Sequence, residues 1–257
     1  MKFVPILAYH KIQNTFDFSA TYVTPATFEA QLKYLTDSGY RSISIHDYVN
    51  NKNITGKRVI FTFDDAYTSV FKNAFALLSK YNFTASIFVI TKFVGKSNHW
   101  DYNFVKNGFG HCDWQQICIL ASEGWEVGSH TVSHPNLKTL SDSHLWYEIK
   151  TSKDVLEDKI QTPINIISYP FGKFDRRVLN TVEKAGYLGG CTLGYNYPDS
   201  QSFPFAIFRR GVYLAEPFQL FKLKLQNNRL SHLDDVKQKI ITFCSQGSIL
   251  LRYFKSI

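Results

Sequence analysis

Several features that announce a function by themselves are missing from this sequence. Its 257 residues include only four cysteines, Cys112, Cys118, Cys191 and Cys244, and no two form a C-x-x-C pair. Neither a zinc ribbon nor a dithiol redox motif is therefore suggested. Four free thiols fit a reducing compartment, with two disulfides left open as the alternative. No stretch approaches the roughly 20 apolar residues of a membrane-spanning helix. The opening run "MKFVPILAYH" has one early lysine and stops at His10, too soon for the apolar region of a secretory signal. A cytoplasmic protein is the expectation. There is no internal repeat, low-complexity tract or linker, so one domain over residues 1–257 is expected. The formal charge is +8, yet the basic residues are scattered and form no arm. Nucleic acid is not an expected partner. A basic surface does leave room for peripheral contact with an anionic membrane, at the inner face.

What is present is a regular alternation. With 44% hydrophobic and 16% aromatic residues, the chain can fill one core of the α/β-barrel size. "VPILAYH", "RSIS", "RVIFTFDD", "TASIFVIT", "WEVGSH", "INIISYPFG", "GGCTL" and "IFRRGVYL" read as strands. Between them, "TPATFEAQLKYLTDSGY", "SVFKNAFALLSKY", "DWQQICILASEG", the segment 140–160 and "RRVLNTVEKAGY" carry helical stripes. A last helix near 234–245 and a strand in "SILLRYF" complete the reading. "RVIFTF" is apolar throughout, as a strand covered on both faces should be. Repeated β-α alternation predicts an α/β fold with a parallel sheet, closed as a barrel or doubly wound. Residues 92–112 read as a long loop.

In parallel α/β folds, chemistry collects at the C-terminal ends of the strands. Four such ends carry polar residues here: His10; the adjacent Asp64 and Asp65; His130 and His134; and the turn "SYPFG". The H-x-x-x-H spacing lets two imidazoles reach one cation, and a carboxylate would complete a set that leaves positions open. Read alone, the histidines could be two unrelated loop residues, and Asp64–Asp65 could cap the helix that follows.

"TFDDAY" with "SHTVSHP" resembles the polysaccharide deacetylases, that is, NodB-homology domains or carbohydrate esterase family 4. The flanks "DWQQI", "NLKTLS", "SYPFGKFD", "VEKAGY" and "FAIFRRGV" extend the resemblance over most of the chain. It implies a distorted (β/α) barrel of seven or eight mostly parallel strands around one divalent metal, Zn2+ first, with Co2+ or Ni2+ as alternatives. It also implies roles: Asp64 as general base, and Asp65, His130 and His134 as metal ligands.

Two departures qualify the carry-over. The family's third motif is usually R-x-P-Y, whereas this chain has Ser168, Tyr169, Pro170 and Phe171. The backbone N–H of Phe171 can still serve as an oxyanion donor. The missing arginine is expected to be supplied by Arg209, with Arg210 as the alternative. The family's late L-x-H motif supplies an acid histidine, but its slot here holds Arg252, which cannot donate a proton near neutral pH. "PILAYHKI" resembles that strand moved to the front, as in poly-N-acetylglucosamine deacetylases of circularly permuted order. His10 is accordingly expected as general acid. Trp100, Tyr102, Trp114, Tyr169, Phe171 and Tyr195 could line a sugar groove, with Phe171 and Trp100 favoured.

The resemblance implies removal of an N-acetyl group from an N-acetylhexosamine-containing glycan, and the expected cytoplasmic location points to a lipid- or nucleotide-linked precursor as the substrate. The alternatives are hydrolysis of another C–N amide, such as a formamide, and a catalytically dead glycan-binding module.

Overall fold

The computed structural model describes residues 3–16, 21–51, 53–97, 109–193, 203–214 and 216–227. The chain enters through β1 (Ile6–Tyr9) and a short parallel pair, β2 (Lys11–Ile12) and β3 (Tyr22–Val23). Next come α1 (Pro25–Asp37), β4 (Tyr40–Ser42), α2 (Ile45–Asn50), β5 (Lys57–Phe63), α3 (Phe75–Lys80) and β6 (Ser86–Val89). The second half holds α4 (Trp114–Ser122), β7 (Glu126–Ser129), α5 (Asp142–Trp146), α6 (Ser152–Ile160), β8 (Ile166–Ser168), α7 (Arg176–Lys184), β9 (Gly189–Leu193), β10 (Ile207–Gly211) and α8 (Phe218–Lys224).

The strands run β1-β10-β9-β8-β7-β6-β5 in space, and β5 pairs back to β1, so seven parallel strands close a ring. An eighth, β4, pairs with the start of β5. The N-terminal strand thus occupies the closing position between β5 and β10, as the front-shifted "PILAYHKI" implied.

Strand alternation divides the side chains into two populations. Leu7, Tyr9, Phe61, Phe63, Ile87, Val89 and Ile167 join the helices in one large buried cluster. The other face fills the barrel in layers. Ile6, Ile60, Phe88, Ile166, Cys191 and Ile207 form a separate apolar cluster. Two residues further along the same strands come Thr62, Ser168 and Arg209, all fully buried. Two residues beyond Ala8 and Thr62 come His10 and Asp64, at the rim. Gly128 makes the apolar layer possible, because a Cβ there would lie 2.5 Å from the Phe88 ring and 2.9 Å from the Ile166 carbonyl oxygen.

Some local expectations are refined. The helix expected over 140–160 is interrupted by a π-helical turn, Tyr147–Thr151, between α5 and α6. The helix expected in "SVFKNAFALLSKY" opens with another, Val70–Ala74. The strand in "INIISYPFG" ends at Ser168, and Pro170–Gly172 form a tight turn. The β2–β3 pair, α2 and α8 were not expected, being too short to show a period. The structure supplies an external reason for α2: Glu126 accepts the N–H groups of Ile45 and His46, both at 2.9 Å, and so caps its start. The expected helix near 234–245 and the strand in "SILLRYF", with Arg252, lie outside the described residues. Cys112, Cys118 and Cys191 are free thiols. Among the described residues, no helix is long and apolar enough to cross a membrane.

Candidate active site

β5 delivers Asp64 to the rim. Its N–H donates to the Tyr9 carbonyl at 3.0 Å, which ties it to the residue before His10. Its carboxylate accepts two parallel hydrogen bonds from Arg209, Nη1 to Oδ1 and Nη2 to Oδ2, each 2.8 Å. Arg209 also donates to Thr62 Oγ1 at 3.1 Å and to Ser168 Oγ at 2.7 Å, and it faces the Phe88 ring at 5.2 Å. Ser168 occupies the slot where the family's usual arginine would stand. The Arg209 guanidinium reaches this residue from β10. Arg210 points elsewhere: it donates to the Leu223, Lys224 and Gln226 carbonyls at the end of α8. Burial by itself would raise the Asp64 pKa, but the Arg209 charge, with His130 and His10, holds it well below the usual carboxylate range.

The next residue breaks the strand. Asp65 and Ala66 have φ of 68° and 48°, in the left-handed region. This cancels the alternation that would send neighbouring carboxylates to opposite faces, and both reach one rim. Asp65 Oδ1 lies 3.5 Å from His130 Nε2 and 3.8 Å from His134 Nε2. Among the described residues, Asp65, His130 and His134 form the group able to hold a metal, their ligand atoms all within 4.8 Å of one another. Two ligands bound at about 2.1 Å in tetrahedral geometry are about 3.4 Å apart, so the spacing fits a small divalent cation. The chemistry fits too. His130 Nδ1 donates to the Ser168 carbonyl at 2.8 Å, leaving Nε2 to face Asp65. Burial, opposed by Asp64, lowers the His130 pKa and favours the neutral, ligating imidazole.

The "SYPFG" turn completes the rim. Phe171 has φ 58°, and its ring lies 4.6 Å from that of His134. The turn closes with the N–H groups of Gly172 and Lys173, donated to Tyr169 and Pro170, so the Phe171 N–H is outside the turn's own bonds. Gly172, at φ +64°, is required because a Cβ would lie 2.0 Å from the Leu193 oxygen. His10 follows β1, and its buried Nδ1 has no hydrogen-bond partner among the described residues. Burial pushes its pKa down to about 4; Asp64 opposes this, while Lys11, Arg209 and His130 reinforce it.

The structure thus brings His10, Asp64, Asp65, His130, His134, Phe171 and Arg209 together. Tyr169 is a correction. It lies in the main core, 1% exposed, with its hydroxyl donating to the Phe205 carbonyl at 2.6 Å, so it offers no ring to a sugar. Pro170 is buried beside it, and Trp114 packs against the same core at the start of α4. Trp100, Tyr102 and Tyr195 lie outside the described residues. Sequence reasoning missed two residues. His111 donates from Nδ1 to the Asp65 carbonyl at 2.6 Å and stacks on Tyr67, ring centroids 4.9 Å apart. Glu148 accepts hydrogen bonds from the loop between the two histidines. The only signal for His111 was its place at the end of a long loop; Glu148 had none. A cavity of about 420 Å³, lined by His46, Glu126 and Asn165 among others, lies at the opposite end of the barrel and contains none of the ligand set.

The family model for polysaccharide deacetylases matches residues 51–190. The chain belongs to that family. Asp64, Asp65, His130, His134 and the "SYPF" turn fall inside the matched span, and His10 and Arg209 fall outside it. The chain is 31% identical over 193 residues to YxkH of Bacillus subtilis (strain 168), covering 74% of this chain and 64% of that protein. It is 25% identical over 183 residues to the poly-beta-1,6-N-acetyl-D-glucosamine N-deacetylase of Staphylococcus aureus (strain MRSA252), covering 66% of this chain and 61% of that one. The chain thus spans less than two thirds of either relative. In fold it is similar to the Streptococcus pyogenes deacetylase PplD, solved in complex with acetate: TM-score 0.75, 24% identity, 87% of this chain and 98% of that one.

Proposed function

We propose that this chain is a metal-dependent hydrolase that removes an N-acetyl group from an N-acetylhexosamine-containing glycan or a lipid- or nucleotide-linked precursor. The observation that carries the reading is the division of two adjacent carboxylates. Asp65 is directed at two histidines in metal-ligand spacing, while Asp64 is held apart by Arg209. When bound by Asp65, His130 and His134, a divalent cation, Zn2+ in our assignment, supplies Lewis-acid polarisation of an amide carbonyl and of water. Asp64 takes the proton of the attacking water. With so low a pKa it is a weak base, and its contribution comes from position. Arg209 fixes that position through two bonds. The Phe171 N–H receives negative charge developing on the carbonyl oxygen. His10 starts neutral, its pKa lowered by burial to about 4; the proton that Asp64 takes from the water passes to His10, and His10 gives it to the nitrogen of the leaving amine. The Phe171 ring borders the histidines, where the face of a sugar would rest.

The test is product release from metal-loaded protein. Chitin-type oligosaccharides, poly-N-acetylglucosamine, a lipid-linked N-acetylated sugar and formylated amino sugars are offered, with Asp64→Asn as the blank. Acetate release from an N-acetylated glycan or precursor supports the reading. Formate release alone redirects it to another amide. Glycan binding with no release under saturating Zn2+ or Co2+ overturns it in favour of a binding module. The same proposal places the reaction in the cytoplasm or at the inner membrane face, where a net charge of +8 suits an anionic surface. Fractionation of the native protein outside the cytoplasmic membrane contradicts that placement.

A further inference from the structure

His130 and His134 stand at the two ends of a loop whose shape is costly. Thr131 and His134 have φ of 69° and 58°. A β-branched residue rarely adopts the left-handed region, and such residues persist only where their surroundings over-determine them. Of the seven non-glycine residues with positive φ among those described, five belong to the rim: Asp65, Ala66, Thr131, His134 and Phe171. The loop is therefore shaped from outside.

Glu148 is the group that meets it. Oε2 accepts the N–H groups of Val132 at 2.9 Å and Ser133 at 2.8 Å, and Oε1 accepts the Ser133 hydroxyl at 2.6 Å. Three donors on one carboxylate make an acceptor-only anchor. Glu148 is 7% exposed and has no ion pair among the described residues. A buried charge of this kind is costly without compensation, and these loop contacts provide it. The helix holds the loop a second time: Ser152 and Ser129 hydroxyls are 2.7 Å apart, and Ser129 Oγ accepts the Thr131 N–H at 3.1 Å. Glu148 and the residues around it form the π-helical turn between α5 and α6. Such turns carry an extra residue and re-aim side chains, often at functional sites.

We propose that Glu148 is a positioning residue for the metal ligands. It sets the spacing of His130 and His134, and through them metal affinity and geometry, without touching cation or substrate. The inference rests on the metal reading of the site.

The experiment measures Co2+ affinity by chelator competition and records the visible spectrum of the Co2+-loaded protein. Wild type, Glu148→Gln, Glu148→Ala, Glu148→Asp and Ser133→Ala are compared, with His130→Ala as the ligand control and the Tm of each metal-free protein alongside. Loss of such an outer partner costs about 10- to 100-fold in metal affinity, and that is the expectation for the Ala and Asp variants, with an altered spectrum. Gln keeps an oxygen for the two amides and an NH2 group that the Ser133 hydroxyl can accept, so wild-type affinity is retained to within about three-fold. Wild-type affinity and spectrum in Glu148→Ala overturn the proposal, as does a fall in Tm with Co2+ affinity intact. If that variant does not fold, Glu148→Asp decides by the same readings. If neither folds, Ser133→Ala decides: weaker Co2+ binding supports the proposal and wild-type binding overturns it. Absence of Co2+ binding in the wild type overturns the metal reading as well, which separates the two failures.

Discussion

Arg209 and Asp64, 145 residues apart in the chain, are joined by two parallel hydrogen bonds of 2.8 Å inside the barrel. The pair spans the ring from β10 to β5 and closes the polar layer that Thr62 and Ser168 begin.

Removing one partner leaves a buried charge uncompensated, which costs about 3–5 kcal/mol. Arg209→Ala is expected to lose stability of that order in urea unfolding, and to lose turnover. Arg209→Lys recovers charge but not the two-pronged geometry, so turnover stays low. A lysine variant with wild-type stability and rate would show that the fork is unimportant.

Asp65→Asn and Asp64→Asn are expected to separate. The first loses stoichiometric metal. The second keeps metal and loses turnover by roughly 10²- to 10⁴-fold, the usual contribution of a general base. Metal analysis beside acetate release checks both. Full metal content in both variants contradicts the division of labour.

His10→Ala is expected to bind metal at wild-type stoichiometry and to release almost no acetate. Near-normal turnover in this variant would assign the acid to another residue.

Acid stability follows from the same buried groups. Burial pushes both His10 and His111 down to about 4. An unfolded histidine titrates near 6.5. Between these values the unfolded chain binds more protons, so stability falls as pH falls. Asp64 titrates below its unfolded value of about 3.9, so its contribution is present above that pH and lost below it. The metal-free protein is expected to lose Tm gradually from about pH 6.5 and steeply below about pH 4. His10→Ala should flatten the first limb and Asp64→Asn the second. A Tm independent of pH between 6.5 and 4.5 would contradict the burial of both histidines.

Gly128→Ala is expected to destabilise by about 1–3 kcal/mol, the cost of overpacking, because the added Cβ meets Phe88 and the Ile166 carbonyl. Phe88→Leu in the same chain should restore part of the loss in urea unfolding. A neutral single variant would mean that the apolar layer yields more than its packing indicates.

Most of the barrel and much of its rim were legible in one dimension. Apolar strands at repeated spacing, four of them ending in polar residues, are enough for a parallel sheet with chemistry at one end, and the family resemblance chose the closed barrel over the doubly wound alternative. The positions Asp64, Asp65, His130 and His134 follow from motif spacing, since those residues are local to two turns. His10 needed only the recognition that a strand had moved to the front. Two kinds of information were not local. On β10, Arg209 and Arg210 are adjacent, and strand parity says that one faces inward and the other outward. Which is which depends on the register of β10 against β1 and β9. Likewise, Glu148 lies in an amphipathic stretch like any other, and its reach to the histidine loop arises from a π-helical turn that hydrophobic periodicity does not record. By itself, then, the sequence determined the fold class and the family, because these depend on residue type and short spacing, and through the family resemblance it brought Asp65, His130 and His134 forward as candidate metal ligands. The tertiary structure decided which arginine meets Asp64, how two neighbouring aspartates came to share one rim, and which carboxylate meets the loop between His130 and His134. Those depend on closure of the ring and on left-handed backbone at single residues, which only the folded chain imposes.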